Sequence, residues 1–487
     1  LYLGIDIGTS SVKAALIDDS GQLKGTSTAD LAISRPSPLW SEQNPEDWWT
    51  ATNLAVAGLN HNLRQAVRAI GMSGQMHGAT LLDNSLSPLR PAILWNDGRS
   101  HLECQQLQDS QPDFIAKGGN QVMPGFTAPK LAWIRTNEPD LFEQTHKVLL
   151  PKDYVRLRMT GDLASDMSDS AGTLWMDVEK RRWHTPLLDA CGLTQDQMPE
   201  LYEGTEPTSV LRQETAKAWG MQRVPVVAGG GDNAAGAVGA GVVDEGDALL
   251  SLGTSGVIFV AGRSYRSNPG SAAHAFCHAL PGRWHLMSVM LSAASCLDWA
   301  CQLTQTPDAE TLIHKAQTEA EMGGQEVFLP YLSGERTPHN NPHASGVFFG
   351  LSHDTGAAQI GQAVLEGVAF GMADGFQALL DAGVNVQSFS VIGGGSQSTY
   401  WGRILAAVLQ RPLVYRDGAA TGPALGAARL ARFSDLDAPY DEAFEAPSII
   451  DIVEPDATDI ERLAPKRAQF SRLYEHLKTE FSGGMNG

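Results

Sequence analysis

Five stretches of the chain place reactive residue types at spacings that chemistry could use. In VPVVAGGGDNAAGAVGAGV (224–242) an apolar strand runs into three glycines, then Asp232 and Asn233, then a helix of alanines and glycines. A carboxylate at a strand's C-terminal end, beside a helix start and among small residues, is placed as a general base for a hydroxyl nucleophile would be. Capping the helix is the other use of Asp232, and the two are compatible. Two Gly-Thr-Ser turns, Gly8-Thr9-Ser10 and Gly253-Thr254-Ser255, offer consecutive backbone N–H groups and hydroxyls at strand–strand corners where a polyphosphate can approach closely. One such turn is an ordinary hairpin; two at matching places are a stronger sign. Lys13 lies within reach of the first turn. Asp6 sits inside a strand of apolar residues and glycine, where an unpaired carboxylate is costly unless a hydrogen bond or a metal offsets it. Mg²⁺ takes carboxylate oxygens together with water and phosphate, so Asp6 next to a phosphate turn suits an ATP–Mg²⁺ site.

Two further segments, GQMHGATLLD (74–83) and LWNDGRS (94–100), end predicted strands with Gln75, His77, Trp95, Asn96, Asp97 and Arg99. Polyol recognition uses such donors and acceptors beside an aromatic or apolar wall. The triple glycine Gly393–Gly395, at a strand–helix junction, either admits an adenine and ribose or forms a tight connection.

The elements that must hold these residues follow from pattern. Residues 1–32 read as a β-meander, and a helix begins after Asn44, with Pro45 at its first position and acidic residues in its first turn. AVRAIGMSG is a buried strand, GATLLD and RPAILW are two more, and a less regular insertion spans about 100 to 200. ALLSLGTSGVIFVA, opening just after Asp244, repeats the strand–GTS–strand pattern of LYLGIDIGTSSVKAALI. This internal echo predicts two related α/β domains facing one another, 1–243 and 244–487. FSVIGGGSQSTYWGRILAAVL reads as strand, glycines and amphipathic helix, TGPALGAARLARF as another helix, and 437–456 as the one linker-like stretch.

Composition narrows the partners. The 487 residues carry 35 Lys+Arg against 55 Asp+Glu, a formal charge of −20 without a basic cluster, which argues against nucleic acid and anionic membranes. Five scattered cysteines with no CxxC pair fit a reducing compartment, with the cytoplasm as the expected location and no structural zinc. The N-terminal apolar run contains Asp6 and follows no basic segment, so it reads as a strand rather than a signal peptide. The stretch 224–243 contains Asp232, Asn233 and many glycines, and is not expected to span a membrane.

At these residues the chain resembles the FGGY family of carbohydrate kinases, in the actin-like ATPase superfamily. GFTAPKLAWIRTN (125–137) and GVFFGLSHDTGAAQIGQAVLEG (346–367) are similar to the family's two signature patterns, and SGQMHGATLLD, LWNDGRS, LPKDYVRLRMTG, SDMSDSAGT and PYLSGERTPHNN resemble its ketopentose-phosphorylating branch. The resemblance implies two actin-like (ribonuclease H-like) domains with an interdomain active-site cleft, ATP and Mg²⁺ as cofactors, and phosphorylation of D-xylulose at its terminal hydroxyl. It implies Asp232 as base and Asp6 as the Mg²⁺ residue. Gly8, Thr9, Ser10, Lys13, Gly253, Thr254 and Ser255 would contact the phosphates, and Gly394, Gly395 and Ser396 the nucleotide. Met76, His77, Asp232 and Asn233 would line the ketose pocket with Trp95 nearby. An Arg-Glu pair of glycerol kinases is replaced here by Met76–His77, which disfavours glycerol. A homodimer is compatible with the resemblance. The competing readings are a kinase of another sugar, such as ribulose, fuculose or gluconate, and a non-enzymatic actin-like ATP-binding regulator.

Overall fold

The structure, a computed structural model, describes residues 1–417, 422–436 and 440–483. The first half is built on strands β1 (Tyr2–Ile7), β2 (Ser11–Ile17), β3 (Leu23–Asp30), β4 (Ala69–Gly74), β5 (Pro207–Val210), β6 (Pro225–Val227) and β7 (Gly230–Gly231). Their order is β5-β6-β4-β1-β2-β3, with β7 alongside the end of β4. β1, β2 and β3 form the antiparallel meander read from the sequence, while β1, β4 and β6 run parallel. Helix α1 (Pro45–Gly58) starts as expected: the Asn44 side chain accepts from the Glu46 N–H at 3.2 Å, and Glu46 and Asp47 lie in its first turn.

The second sheet comprises β8 (Ala248–Leu252), β9 (Gly256–Gly262), β10 (His274–Cys277), β11 (Trp284–Met290), β12 (Phe389–Ile392), β13 (Leu413–Arg416) and β14 (Ile449–Val453), in the order β10-β11-β9-β8-β12-β13-β14. Apart from the added edge strand β10, this repeats the first sheet strand for strand: an antiparallel meander, two parallel neighbours, then an antiparallel edge. The echo between the two Gly-Thr-Ser segments is therefore a repeat of topology as well as of sequence.

GATLLD and RPAILW form strands as expected, but short ones outside the main sheet. They shorten to Thr80–Leu82 and Ala92–Ile93 and pair with Lys147–Leu149 and Glu42–Gln43. Both sides of β4 are occupied by β1 and β6, so no ladder in the main sheet was free for them. In the insertion, Asn120 uses its side-chain amide as a surrogate strand: Nδ2 donates to Ala275 O at 3.0 Å and Oδ1 accepts from Ala275 N at 3.0 Å, which covers the β10 edge.

The other helices that bear on the site and its framework are α2 (Thr127–Asn137), α3 (Pro151–Thr160), α4 (Asp232–Gly239), α5 (Ala357–Asp381), α6 (Thr399–Leu409) and α7 (Gly422–Leu436). α5 is long and apolar enough to cross a membrane, but 78% of that apolar window is buried inside the protein, where it packs against the second sheet and its helices. Of the linker-like stretch 437–456, residues 437–439 lie outside the described residues. The rest contains a short helix, Tyr440–Ala443, and the edge strand β14.

α7 lies between β13 and β14 of the second sheet in the chain, yet packs on the first. A Cβ built on Gly4 would lie 1.9 Å from Ala424 O, one on Gly71 1.8 Å from Ala427 O, and one on Gly426 1.7 Å from Ala235 O in α4. Glycine at three contacts thus lets two backbones and a sheet touch directly, and α4 and α7 cross where the two halves meet. Gly71→Ala is therefore expected to lower stability by about 1–3 kcal/mol or more. Gly236→Ala, whose Cβ would meet only Pro423 Cγ at 3.8 Å, gains about 0.5–1 kcal/mol of helix propensity. Denaturant midpoints of the two variants check this; equal midpoints would contradict the close-contact account.

Candidate active site

The strand ends of the first sheet and the facing surface of the second enclose a cavity of about 230 Å³. Met76, His77, Trp95, Asp232 and Asn233, all five residues expected in a sugar pocket, line it together with Ser255 of the second Gly-Thr-Ser turn. The pocket also uses residues that sequence reasoning did not single out, notably Phe126, His274 and Arg336. Phe126 stands at the start of the first signature segment, and Arg336 lies within PYLSGERTPHNN, so the signal was present as motif but not as chemistry.

Asp232 is the first residue of α4; the cap position falls on Gly231, not on Asp232. Its Oδ1 accepts from Asn233 N at 2.7 Å and from Asn233 Nδ2 at 2.8 Å, and among the described residues no protein donor is recorded for Oδ2. Burial, followed by the nearby Asp6 carboxylate, pushes the Asp232 pKa up to about 7 against the Asn233 hydrogen bonds. Asp6 lies between Lys13 of β2 and Ser73 of β4 in the strand registers. Desolvation raises its pKa to about 6, with Ser73 and Lys13 opposing the shift, and its Oδ1 is buried with no hydrogen-bond partner.

His77 takes the left-handed backbone region, with φ 69°. Its Nδ1 lies 2.7 Å from Gly172 O; a carbonyl only accepts, so Nδ1 carries the proton and Nε2 remains an acceptor. Burial, then Lys130 and Arg336, hold its pKa down at about 3, so the ring is neutral. Phe126 packs edge-on against the ring at 4.9 Å, and Lys130 Nζ fixes the backbone by donating to His77 O at 2.9 Å and Gly125 O at 2.8 Å. Across the pocket, Arg336 Nη1 donates to His274 Nε2 at 3.3 Å, and His274 Nδ1 in turn donates to Asn120 Oδ1 at 3.3 Å. Among the described residues the Arg336 guanidinium forms no ion pair within contact distance, the neighbouring Glu335 charge only partly offsetting its burial.

The first Gly-Thr-Ser turn is closed by Gly8 N donating to Ser11 O at 3.0 Å, and the second by Gly253 N donating to Ser255 O at 3.1 Å. Ser10 is exposed. The first turn is braced from below by Gln43 Nε2, which donates to Thr9 O at 2.7 Å, and by Gln75 Nε2, which donates to Gly8 O at 3.3 Å. Trp95, nearly half exposed, donates from Nε1 to Thr9 Oγ1 at 3.0 Å, which joins the pocket mouth to that turn. Gln75, Asp97 and Arg99 are buried supports rather than pocket residues: Arg99 pairs with Asp97 and Glu42, and Asp97 accepts from Ser41 N.

The triple glycine abuts the end of β8. Gly393 has φ 94° and approaches Leu252 O, Gly395 packs on Leu252 and Trp401, and a Cβ at Gly394 would meet nothing. Ser396 is partly exposed and donates from Oγ to Gly393 O at 2.6 Å. The triple glycine thus packs against Leu252, the residue that precedes the second Gly-Thr-Ser turn. Among the described residues no cluster of three or more His, Cys, Asp or Glu forms a metal cage. All five cysteines are free and buried.

Residues 1–239 match the N-terminal domain, and residues 248–434 the C-terminal domain, of the FGGY family of carbohydrate kinases. The chain is 55% identical over 482 residues to a xylulose kinase of Escherichia coli (strain K12), covering 98% of this chain and 99% of that protein. It is 53% identical over 485 residues to a xylulose kinase of Klebsiella pneumoniae, covering 98% and 99%. Among solved structures it is similar to a "xyloylose kinase" from Brucella ovis, at TM-score 0.95 and 46% identity over 98% of this chain and 99% of that one. The two repeated sheets are thus the actin-like pair of domains of these sugar kinases.

Proposed function

The chain belongs to the FGGY family of carbohydrate kinases, and from that premise we propose that it transfers the γ-phosphoryl group of ATP to the terminal hydroxyl of D-xylulose. One observation supports this above the others. The pocket that holds Asp232 has Ser255 of one Gly-Thr-Ser turn in its wall and Trp95, tied to Thr9 of the other, at its mouth. A sugar hydroxyl at Asp232 is then flanked by both candidate phosphate turns. The pocket's volume of about 230 Å³ suits a small polyol rather than a large ligand, and the xylulose kinases it resembles support a ketopentose.

The sugar's hydroxyls meet the His77 Nε2 acceptor, the Asn233 amide and the Arg336 guanidinium, while Met76 and Phe126 supply apolar wall. Asp232 Oδ2 accepts the proton of the terminal hydroxyl as that oxygen bonds to the γ-phosphorus and the bond to the ADP oxygen breaks. A base whose pKa lies near neutrality is matched to that task. Phosphoryl transfer runs through a loose, in-line transition state, so positioning and charge neutralisation carry most of the catalysis. The N–H groups and hydroxyls of the two turns, with Lys13, are the donors placed for it, and Gly394, Gly395 and Ser396 offer the surface for the nucleoside. The buried, unpartnered Oδ1 of Asp6 fits a water-mediated hold on Mg²⁺. When bound, Mg²⁺ would neutralise phosphate charge.

Asp232→Asn keeps the shape and removes the base; turnover, read as D-xylulose-stimulated ADP release, is expected to fall on the order of 10²–10⁴-fold with folding intact. Turnover within a few-fold of wild type would rule Asp232 out as base. His77→Ala should lower kcat/KM for D-xylulose by about tenfold or more, because a sugar donor loses its buried acceptor, and leave the ATP affinity close to wild type. A parallel loss of ATP affinity would put the sugar elsewhere. Because Asp232 must be ionised, kcat/KM should rise with pH through about 7. In Asp6→Asn, with one negative charge removed, this limb should move to lower pH; an unmoved limb would show that the two carboxylates do not interact.

A further inference from the structure

Behind the pocket lies a polar network that the chemistry above leaves unused. Lys152 and Asp153 in α3, together with Asp166, Ser168 and Asp169 in the following segment, are almost completely buried. Lys152 Nζ contacts Asp153, Asp166 Oδ1 at 2.9 Å and Asp169 Oδ2 at 3.5 Å. Asp166 caps the short helix Met167–Ala171: its Oδ2 accepts from Ser168 N at 2.7 Å, Ser168 Oγ at 2.5 Å and Asp169 N at 3.2 Å. Ser168 Oγ, with its proton directed at Asp166, accepts from Gly231 N at 3.0 Å. Gly231 is the residue before Asp232. At the other end of the same helical turn, Gly172 O receives the His77 ring N–H.

A buried cluster of one lysine and three carboxylates is a poor source of stability compared with apolar packing. Its links, however, run to the two segments that carry the sugar pocket. The segment before Asp232, Gly229-Gly230-Gly231, has no side chains of its own to fix its course; its backbone is held by the short β7 ladder to Ser73 and Gly74 and by side chains from α3 and the turn after it. Arg156, also in α3, holds the start of that segment through Val227 O and Ala228 O, and Ser168 holds its end. Lys152 fixes Asp166, Asp166 fixes the hydroxyl rotor of Ser168, and the lone pair that remains is aimed at the Gly231 N–H.

We propose that Ser168 is a positioning residue for Asp232: its hydroxyl, oriented by Asp166, anchors Gly231 and thereby the direction of the Asp232 carboxylate, in the same helical turn whose end orients His77. This rests on Asp232 acting as the base. The sugar itself touches His77, Asn233 and Arg336, so loss of the anchor misaims the base more than it weakens the sugar. Misplacement of a reacting group by a fraction of an ångström to an ångström costs roughly 10- to 100-fold in rate.

The test compares full-length Ser168→Ala, Ser168→Cys and Ser168→Thr with wild type and Asp232→Asn, using ATP, Mg²⁺ and D-xylulose, with melting temperatures recorded alongside. Ser168→Ala is expected to lose about tenfold or more in kcat with KM for D-xylulose within about threefold of wild type. Ser168→Cys, which keeps the size but offers only a weak acceptor, should follow it and stands in for Ser168→Ala should that variant not fold. Ser168→Thr, which restores a hydroxyl, should recover most of the lost kcat. A kcat within threefold of wild type in folded Ser168→Ala or Ser168→Cys overturns the proposal. So does an effect confined to KM, or an equal loss of kcat in all three variants. An inactive wild type, or an active Asp232→Asn, would instead overturn the base assignment itself, and the two failures are thereby distinguished.

Discussion

The pocket depends on two carboxylates buried in one cleft: desolvation raises the pKa of both, and the Asp6 charge raises that of Asp232 further. Asp6 ends one strand of the first sheet, Asp232 opens the helix that follows another, and each is raised well above the ordinary carboxylate range. Among the described residues neither has an ion pair within contact distance. Lys13 acts on Asp6 from the next strand, and Asn233 holds a single oxygen of Asp232. A site left in this condition has unspent capacity for a proton and for positive charge, which is what a hydroxyl nucleophile and a polyphosphate with its metal bring.

The fold supplies that arrangement through repetition. Each sheet begins with a strand, a Gly-Thr-Ser corner and a returning strand; the second corner lines the cavity through Ser255, the first is tied to it through Trp95 and Thr9, and α4 and α7 cross where the halves meet. The contact at the crossing is between backbones, at Gly426 on Ala235, and α7 lies just as closely on Gly4 and Gly71 of the first sheet. Side chains there would push the two halves apart, so the glycine content that is conspicuous in the sequence serves proximity as well as the two Gly-Thr-Ser turns.

Much of this was legible in the sequence because it depends on local pattern. The GTS turns, the helix after Asn44 with its cap, the triple-glycine junctions and Asp232 beside a helix start are all short-range signals, and Met76, His77, Trp95, Asp232 and Asn233 do share one cavity. What escaped depends on contacts far apart in the chain. Arg336 and His274 reach the pocket from the second half, and Gln43 props the first turn from a two-residue strand. Gln75, Asp97 and Arg99 have the residue types of a sugar site but are consumed by internal hydrogen bonds. Residue type alone does not distinguish a donor facing a ligand from one satisfied inside the protein. Thr80–Leu82 and Ala92–Ile93 are strands, as the hydrophobic runs indicate, but such runs do not reveal that the neighbouring ladder is already filled and that these strands must pair elsewhere.

The central claim is that the sugar's terminal hydroxyl lies against Asp232 between the two phosphate turns, and a crystal structure with D-xylulose and a non-hydrolysable ATP analogue tests it most directly. The account predicts the terminal hydroxyl oxygen within about 2.6–3.2 Å of the Asp232 carboxylate, with its line of attack toward the γ-phosphate. A sugar bound with that hydroxyl turned away from Asp232, or bound outside the cavity lined by His77 and Arg336, would contradict it.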